Sequence, residues 1–211
     1  MARFGRAFPM PIQGTKMQSS QVAFDAAAGA GFTNLASFTL PAKAKSTVFI
    51  FFDADRAPAV TGITVGGVTP NLLVTNGDLK VWFIQIISAS PTVTITATNH
   101  AYVGAASYTG VSTVSVINNT NGTSASPSNS VTSSAVPVNG MAVCGMGHSY
   151  INGLVSMTGV SGGTNRFLGP NTASGGASLA ISDAFGPINT TFQATLSGGS
   201  PWQATSVLLS P

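Results

Sequence analysis

Histidine, the usual general base of a hydrolytic site, occurs twice in this 211-residue chain, as His100 and His148. Every carboxylate comes from five aspartates, Asp25, Asp53, Asp55, Asp78 and Asp183, because the sequence contains no glutamate. A serine triad needs a histidine held between a nucleophile and a carboxylate. Ser149 follows His148 directly, and in a strand neighbouring side chains point to opposite faces, so this pair does not meet. Asp53 and Asp55 lie two apart and share a face if their strand continues. Calcium asks for about 6–8 oxygen ligands, and no third carboxylate or Asp-Asn-Gly loop follows. Solvation at a strand end and ion pairing with Arg56, Lys43 or Lys45 are expected of these aspartates instead. Cys144 and His148 stand four apart with no second Cys or His pair, which excludes a zinc site and leaves a buried free thiol. The expectation is therefore no catalytic residue, no metal and no cofactor.

The aromatic residues offer a different chemistry, the flooring of a sugar-binding groove. Trp82 sits among Val81, Phe83 and Ile84 and reads as core, whereas Tyr150, near an expected loop, is the candidate ligand contact. The sequons Asn118-Asn119-Thr120, Asn121-Gly122-Thr123 and Asn189-Thr190-Thr191 are expected by chance in a chain so rich in Asn, Ser and Thr.

Composition narrows the class. Only 6% of residues are charged, against about 25% in an ordinary soluble domain, while 44% are hydrophobic. That apolar content offsets chain entropy and excludes disorder of the charged, hydrophobe-poor kind. No apolar run approaches the roughly 18 residues of a spanning helix, so no membrane insertion is expected. The net charge of +3 belongs to the N-terminus: Arg3, Arg6 and Lys16 lie there, and the five remaining cations are matched by the five aspartates. Without a clustered basic face, nucleic acid is not an expected partner. A neutral surface of Ser, Thr, Asn and Gly suits a chain packed into an assembly, and a homo-oligomer is expected.

The elements that must position these residues repeat with period two. Residues 1–20 read as an extended arm, since Pro9 and Pro11 bar a helix or central strand, and Phe4, Phe8 and Met10 are apolar anchors without a periodic face. No apolar core follows the arginines, so the opening is not a secretory signal and synthesis in the cytoplasm is expected. Val93, Ile95 and Ala97 alternate with threonines, as Phe192, Ala194 and Leu196 do with Thr191, Gln193 and Thr195, and as Leu179 and Ile181 do with Ser178, Ala180 and Ser182. Each predicts a half-buried strand. Thr47 to Phe52 and Val81 to Ile87 are nearly continuous apolar runs and predict central strands covered on both faces. Asn76-Gly77-Asp78 predicts a type I′ hairpin turn, and glycine pairs at 66–67, 162–163, 175–176 and 198–199 mark further turns. Ala23 to Ala30 is the one stretch with a helical period. Residues 117–139 read as a long polar loop inside a single domain of residues 21–211, with Val131 to Val138 as a candidate edge strand. The fold expected is an all-β, antiparallel, jelly-roll-like β-sandwich with an extended N-terminal arm.

The opening Ala2-Arg3-Phe4-Gly5-Arg6-Ala7-Phe8-Pro9 resembles the start common among minor tail proteins of actinobacteriophages. Most of residues 45–211 resembles a β-sandwich module of such proteins and of secreted bacterial proteins. The likeness rests on Val60 to Val68, Val81-Trp82-Phe83, the alternating 92–96, Ala105 to Val111 and Trp202-Gln203-Ala204 before Leu208-Leu209. It implies Gly66-Gly67 as a hairpin turn, Tyr108-Thr109-Gly110 as the end of a long strand and the Trp202 strand as its closing partner. It implies no catalytic residue.

The function expected is that of a non-enzymatic virion structural protein, a minor tail or decoration protein on the tail or capsid surface. Arg3 and Arg6 would pair with acidic groups of another virion protein while Phe4 and Phe8 fill pockets, and the displayed sandwich would be available for host-surface contact. The alternative is a carbohydrate-binding module that recognises a host envelope glycan.

Overall fold

The computed structural model describes residues 20–54, 60–122, 128–133, 135–148, 156–169 and 178–211, and every helix or strand assigned there is a strand. The N-terminal arm, up to residue 19, lies outside the described residues. In chain order the strands are β1 (Ala23–Thr39), β2 (Thr47–Ala54), β3 (Val60–Val65), β4 (Asn71–Asn76), β5 (Leu79–Gln85), β6 (Thr92–Thr109) and β7 (Thr113–Gly122). They continue with β8 (Ser128–Thr132), β9 (Met141–His148), β10 (Met157–Ser161), β11 (Thr164–Gly169), β12 (Ser178–Phe185), β13 (Thr191–Leu196) and β14 (Trp202–Ser210).

These build an all-β antiparallel sandwich of three sheets. A 6-stranded sheet runs β1-β6-β2-β5-β4 with β3 also paired to β6; a 5-stranded sheet runs β11-β12-β9-β14-β7; a 3-stranded sheet runs β10-β13-β8. The first sheet is curled. The long β1–β6 ribbon breaks register between Thr33 and Leu35, where Asn34 takes a φ of 72°, a conformation Asn tolerates better than most residues. Beyond that break, Ala36, Val93, Ile95 and Ala97 enclose one core cluster with Val48, Ile50, Phe52 and Trp82. The threonines alternating with them face outward, as their period requires.

Strand β2 shows why a continuous apolar run suits its place. Val48, Ile50, Phe52 and Ala54 fill the curl of the first sheet, while Phe49 and Phe51 point the other way, into a second cluster with Val143, Ile181 and Val207 of the middle sheet. The far face of the middle sheet presents Ala142, Cys144, Met146 and Ala180 to Phe192, Ala194 and Leu196 of the small sheet, the third cluster.

Several expectations change. Ala23 to Ala30 is strand, not helix. Pairing with β6 along its whole length overrides the local period, and Gly29 and Gly31 lie where any Cβ would strike Phe167 and Tyr102. Strand β12 is buried on both faces rather than one, because the small sheet covers Ser178, Ala180 and Ser182. The polar stretch 117–139 is not a loop throughout. Its first residues complete β7, paired with β14, and Ser128–Thr132 form β8, paired with β13. Its polarity reflects edge position: Asn118 Nδ2 donates to Thr132 O at 3.2 Å and Thr120 Oγ1 to Ser130 O at 2.7 Å, so these side chains stitch the two sheets together. At the β4–β5 hairpin the pair Asn76↔Leu79 leaves Gly77 and Asp78 as the loop, with φ positive only at Gly77, as in a type II′ turn. The I′ pattern belongs to Gly66-Gly67, both at positive φ, inside the Val65↔Val68 bridge.

Candidate functional site

The arm residues Arg3, Phe4, Arg6 and Phe8 and the candidate ligand contact Tyr150 all lie outside the described residues, as do Ser149, Asp55 and Arg56. What the structure does bring together sits at one end of the sandwich, where β2, β7, β9 and β11 finish and β12 and β14 begin. The register sets Ser178, His148 and Trp202 in a row across β12, β9 and β14, on the face toward the small sheet. Ser200 Oγ lies 3.5 Å from His148 Nδ1, and the Trp202 indole covers Gly122, where a Cβ would collide with it. Asn76 anchors the β4–β5 turn to the same end, donating through Nδ2 to Thr120 O and Ala204 O, each at 3.0 Å.

Asp53 approaches this end from the first sheet. Solvation at a strand end is corrected: Asp53 is fully buried, because β2 continues to Ala54 and turns the side chain toward β9. There Gly147 leaves the room, since a Cβ on it would lie 2.5 Å from Asp53 Cγ. Neither carboxylate oxygen has a well-formed hydrogen bond, the backbone N–H groups of Ala54 and His148 being the nearby donors. Burial, and then the charge of Asp78, push its pKa well above the ordinary value; those N–H groups and Lys80 only partly oppose this. His148 and Asp53 do not make a relay. Gly147 shares its face with the Asp53 contact, and the next residue, His148, points to the opposite face.

The ion pairs are elsewhere. Lys43 pairs with Asp25, Nζ to Oδ1 3.5 Å, rather than with Asp53. Asp25 is the extra residue of a bulge in β1 between Phe24 and Ala26, which turns its carboxylate to accept from Lys43 N (2.6 Å), Ser46 Oγ and Ser107 Oγ (both 3.1 Å). Burial acts to raise its pKa, but these bonds and Lys43 outweigh it and the net displacement is downward. A second network, missed in the sequence, crosses from the middle sheet to the first. Asp183 accepts from Arg166 Nε at 2.8 Å and from the Tyr108 hydroxyl at 3.1 Å, and the Arg166 guanidinium lies over the Phe24 ring. Burial raises the Asp183 pKa against Arg166 and Tyr108, and burial followed by Asp183 raises that of Tyr108 well above normal.

Other candidates carry little chemistry. The Cys144 thiol is buried and its pKa is raised well above normal by burial, which makes it unreactive. No three His, Cys, Asp or Glu residues among those described are placed to hold a metal ion. No glycine-flanked serine elbow is expected from the sequence, yet Gly159-Val160-Ser161-Gly162-Gly163 has the spelling of one. That motif needs a strand-to-helix turn, whereas here β10 leads into β11. His100 shares a 2.7 Å hydrogen bond with Thr33 Oγ1 at the surface.

One open groove, of about 640 Å³, lies where β3 and β4 diverge beyond the Gly66-Gly67 turn; Thr61, Thr64, Thr69, Leu72, Lys80 and Trp82 line it. Trp82 packs edge-on against Phe52 and is only 6% exposed, so it closes the groove floor as a core residue, as its neighbours in the sequence imply. Compared with protein-family models, curated proteins and solved structures, the chain matches none.

Proposed function

We propose that the chain is a non-enzymatic virion structural protein of a bacteriophage, a minor tail or decoration protein attached through its N-terminal arm and displaying the sandwich. One observation carries the attachment. Of the five aspartates, Asp25 is engaged by Lys43, Ser46 and Ser107, Asp183 by Arg166 and Tyr108, and Asp53 is sealed inside. Three of the chain's own carboxylates are thus withheld from Arg3 and Arg6, which favours an acidic partner surface on a different virion protein. The resemblance of residues 2–9 to tail-protein openings points the same way. The body contributes a scaffold with few charges, suited to close packing beside neighbouring subunits.

Deleting residues 1–16 is expected to leave a folded sandwich that no longer enters particles, scored by circular dichroism and by quantifying the protein in purified virions. Normal incorporation of the truncated chain would sink the proposal. Glycan recognition is the second reading, and the groove is what favours it, because threonine hydroxyls at 61, 64 and 69 beside the apolar Val60, Ile63 and Leu72 suit the mixed faces of a sugar. It requires the body to bind host-envelope glycan in the absence of any virion component.

A further inference from the structure

At the end of the sandwich opposite the His148 row, the chain enters the fold beside an exposed apolar surface. Val22 is buried and its N–H donates to Asn139 O at 2.9 Å, which fixes where the arm leaves the body. Asn139 belongs to a segment, 136–140, tied to a second segment, 185–188, by Gly186 N to Gly140 O at 3.0 Å and Val136 N to Ile188 O at 3.1 Å. These two segments carry three large apolar side chains left in solvent, Val138 at 66% exposure, Ile188 at 45% and Phe185 at 39%. Val138, Ile188 and Phe185 thus present apolar side chains within two hydrogen bonds of the arm's exit.

We propose that this patch is the seat of residues 10–17 of the same chain. The segment supplies the apolar Met10, Ile12 and Met17, of which the two methionines are unbranched and flexible enough to fit an irregular surface, and its one charge is Lys16. Met17 stands five residues before Val22, a reach of up to about 17 Å at roughly 3.4 Å per residue, ample for a patch that begins next to Asn139. Closing so short a loop costs little entropy, and this favours the chain's own segment over that of a second copy. Pro9 and Pro11 keep the preceding residues extended, so seating 10–17 would aim Arg3 to Phe8 away from the body in a fixed direction. The assignment goes beyond the attachment reading, since it concerns the isolated chain and holds whatever Arg3 to Phe8 bind.

Limited trypsin digestion of the full chain, followed by mass spectrometry, tests it because Arg6 and Lys16 are both cleavable sites on the arm. Cleavage after Lys16 is expected to be about tenfold slower than after Arg6, since proteolysis follows the population of the open form. The double variant Val138→Ser, Ile188→Ser should bring the Lys16 rate up to that of Arg6 without losing the strand signal in circular dichroism. Should that variant fail to fold, hydrogen exchange decides: amides of 136–140 and 185–188 should exchange faster in the chain lacking residues 1–16 than in the full chain. Equal cleavage at Lys16 and Arg6 in the full chain would overturn the proposal. So would protection at Lys16 that survives the double variant, protection that disappears on dilution (the mark of a second copy), or exchange unaltered by the deletion.

Discussion

Replacing Gly145 by alanine is expected to destabilise the sandwich by about 1–3 kcal/mol, and replacing it by valine to prevent folding at ordinary temperature. Gly145 sits in β9, the middle strand of the 5-stranded sheet, with its missing side chain directed at the first sheet. A Cβ placed there collides with Phe51 Cδ1 and lies 2.7 Å from Cε1 of the same ring. Phe51 has no room to retreat: it is fully buried between the sheets in a cluster with Val143, Ile181 and Val207. Close-packed interiors transmit such an insertion as backbone displacement rather than absorb it. The cause is specific, so it is separable by a double-mutant cycle in urea unfolding. Phe51→Ala alone should cost about 3–5 kcal/mol, but markedly less when Gly145→Ala already occupies part of the space. Additive losses would show that the glycine serves something other than this contact.

The second large effect is a stability profile that runs opposite to ordinary acid denaturation. Because the folded-state pKa of Asp53 lies well above its ordinary value of 3.8, the folded protein holds this proton more tightly than the unfolded chain does. The contribution of protonated Asp53 is therefore fully present below about pH 4 and is lost as pH rises from there toward the folded-state value. Asp53→Asn keeps the shape and removes the titration. At pH 7 it should be more stable than the parent by about 1–3 kcal/mol, the scale of an unsatisfied buried polar group, and the two should converge near pH 3. Asp183, whose pKa is raised in the same direction, leaves a residual slope in the variant, while Asp25, lowered by its hydrogen bonds, contributes stability that is lost as pH falls below 3.8. Urea midpoints across pH 3–8 check this, and an Asp53→Asn variant less stable than the parent at pH 7 would contradict the burial argument.

Both effects arise where the sequence is least legible. Alternation of Val93, Ile95 and Ala97 with threonine, or of Phe192 and Ala194 with Gln193, identifies strands and their buried faces because one face meets water. Strands β9 and β12 meet water on neither face, and their small residues, Gly145, Gly147, Ala142 and Ala180, lower the local hydrophobicity that would have marked them as central. The burial of Asp53 depends on Gly147, far along the chain, and nothing within β2 announces it. The Asp183, Tyr108 and Arg166 network is hidden for the same reason, since its members come from three strands in two sheets. Asn76 illustrates the reverse error: its type suggested a turn residue, yet two distant carbonyls draw its amide inside and pass the turn to Gly77 and Asp78. The arm reading rests on Pro9, Pro11 and the uneven charge, all of them local features of residues outside those described.

Cryo-electron microscopy of particles carrying this protein would locate both the sandwich and its arm. Sandwich density is expected on the tail or capsid surface, with Phe4 and Phe8 seated in a neighbouring protein and Arg3 and Arg6 beside its acidic groups. A sandwich absent from every particle, or present with Arg3 to Phe8 touching no other protein, would contradict it.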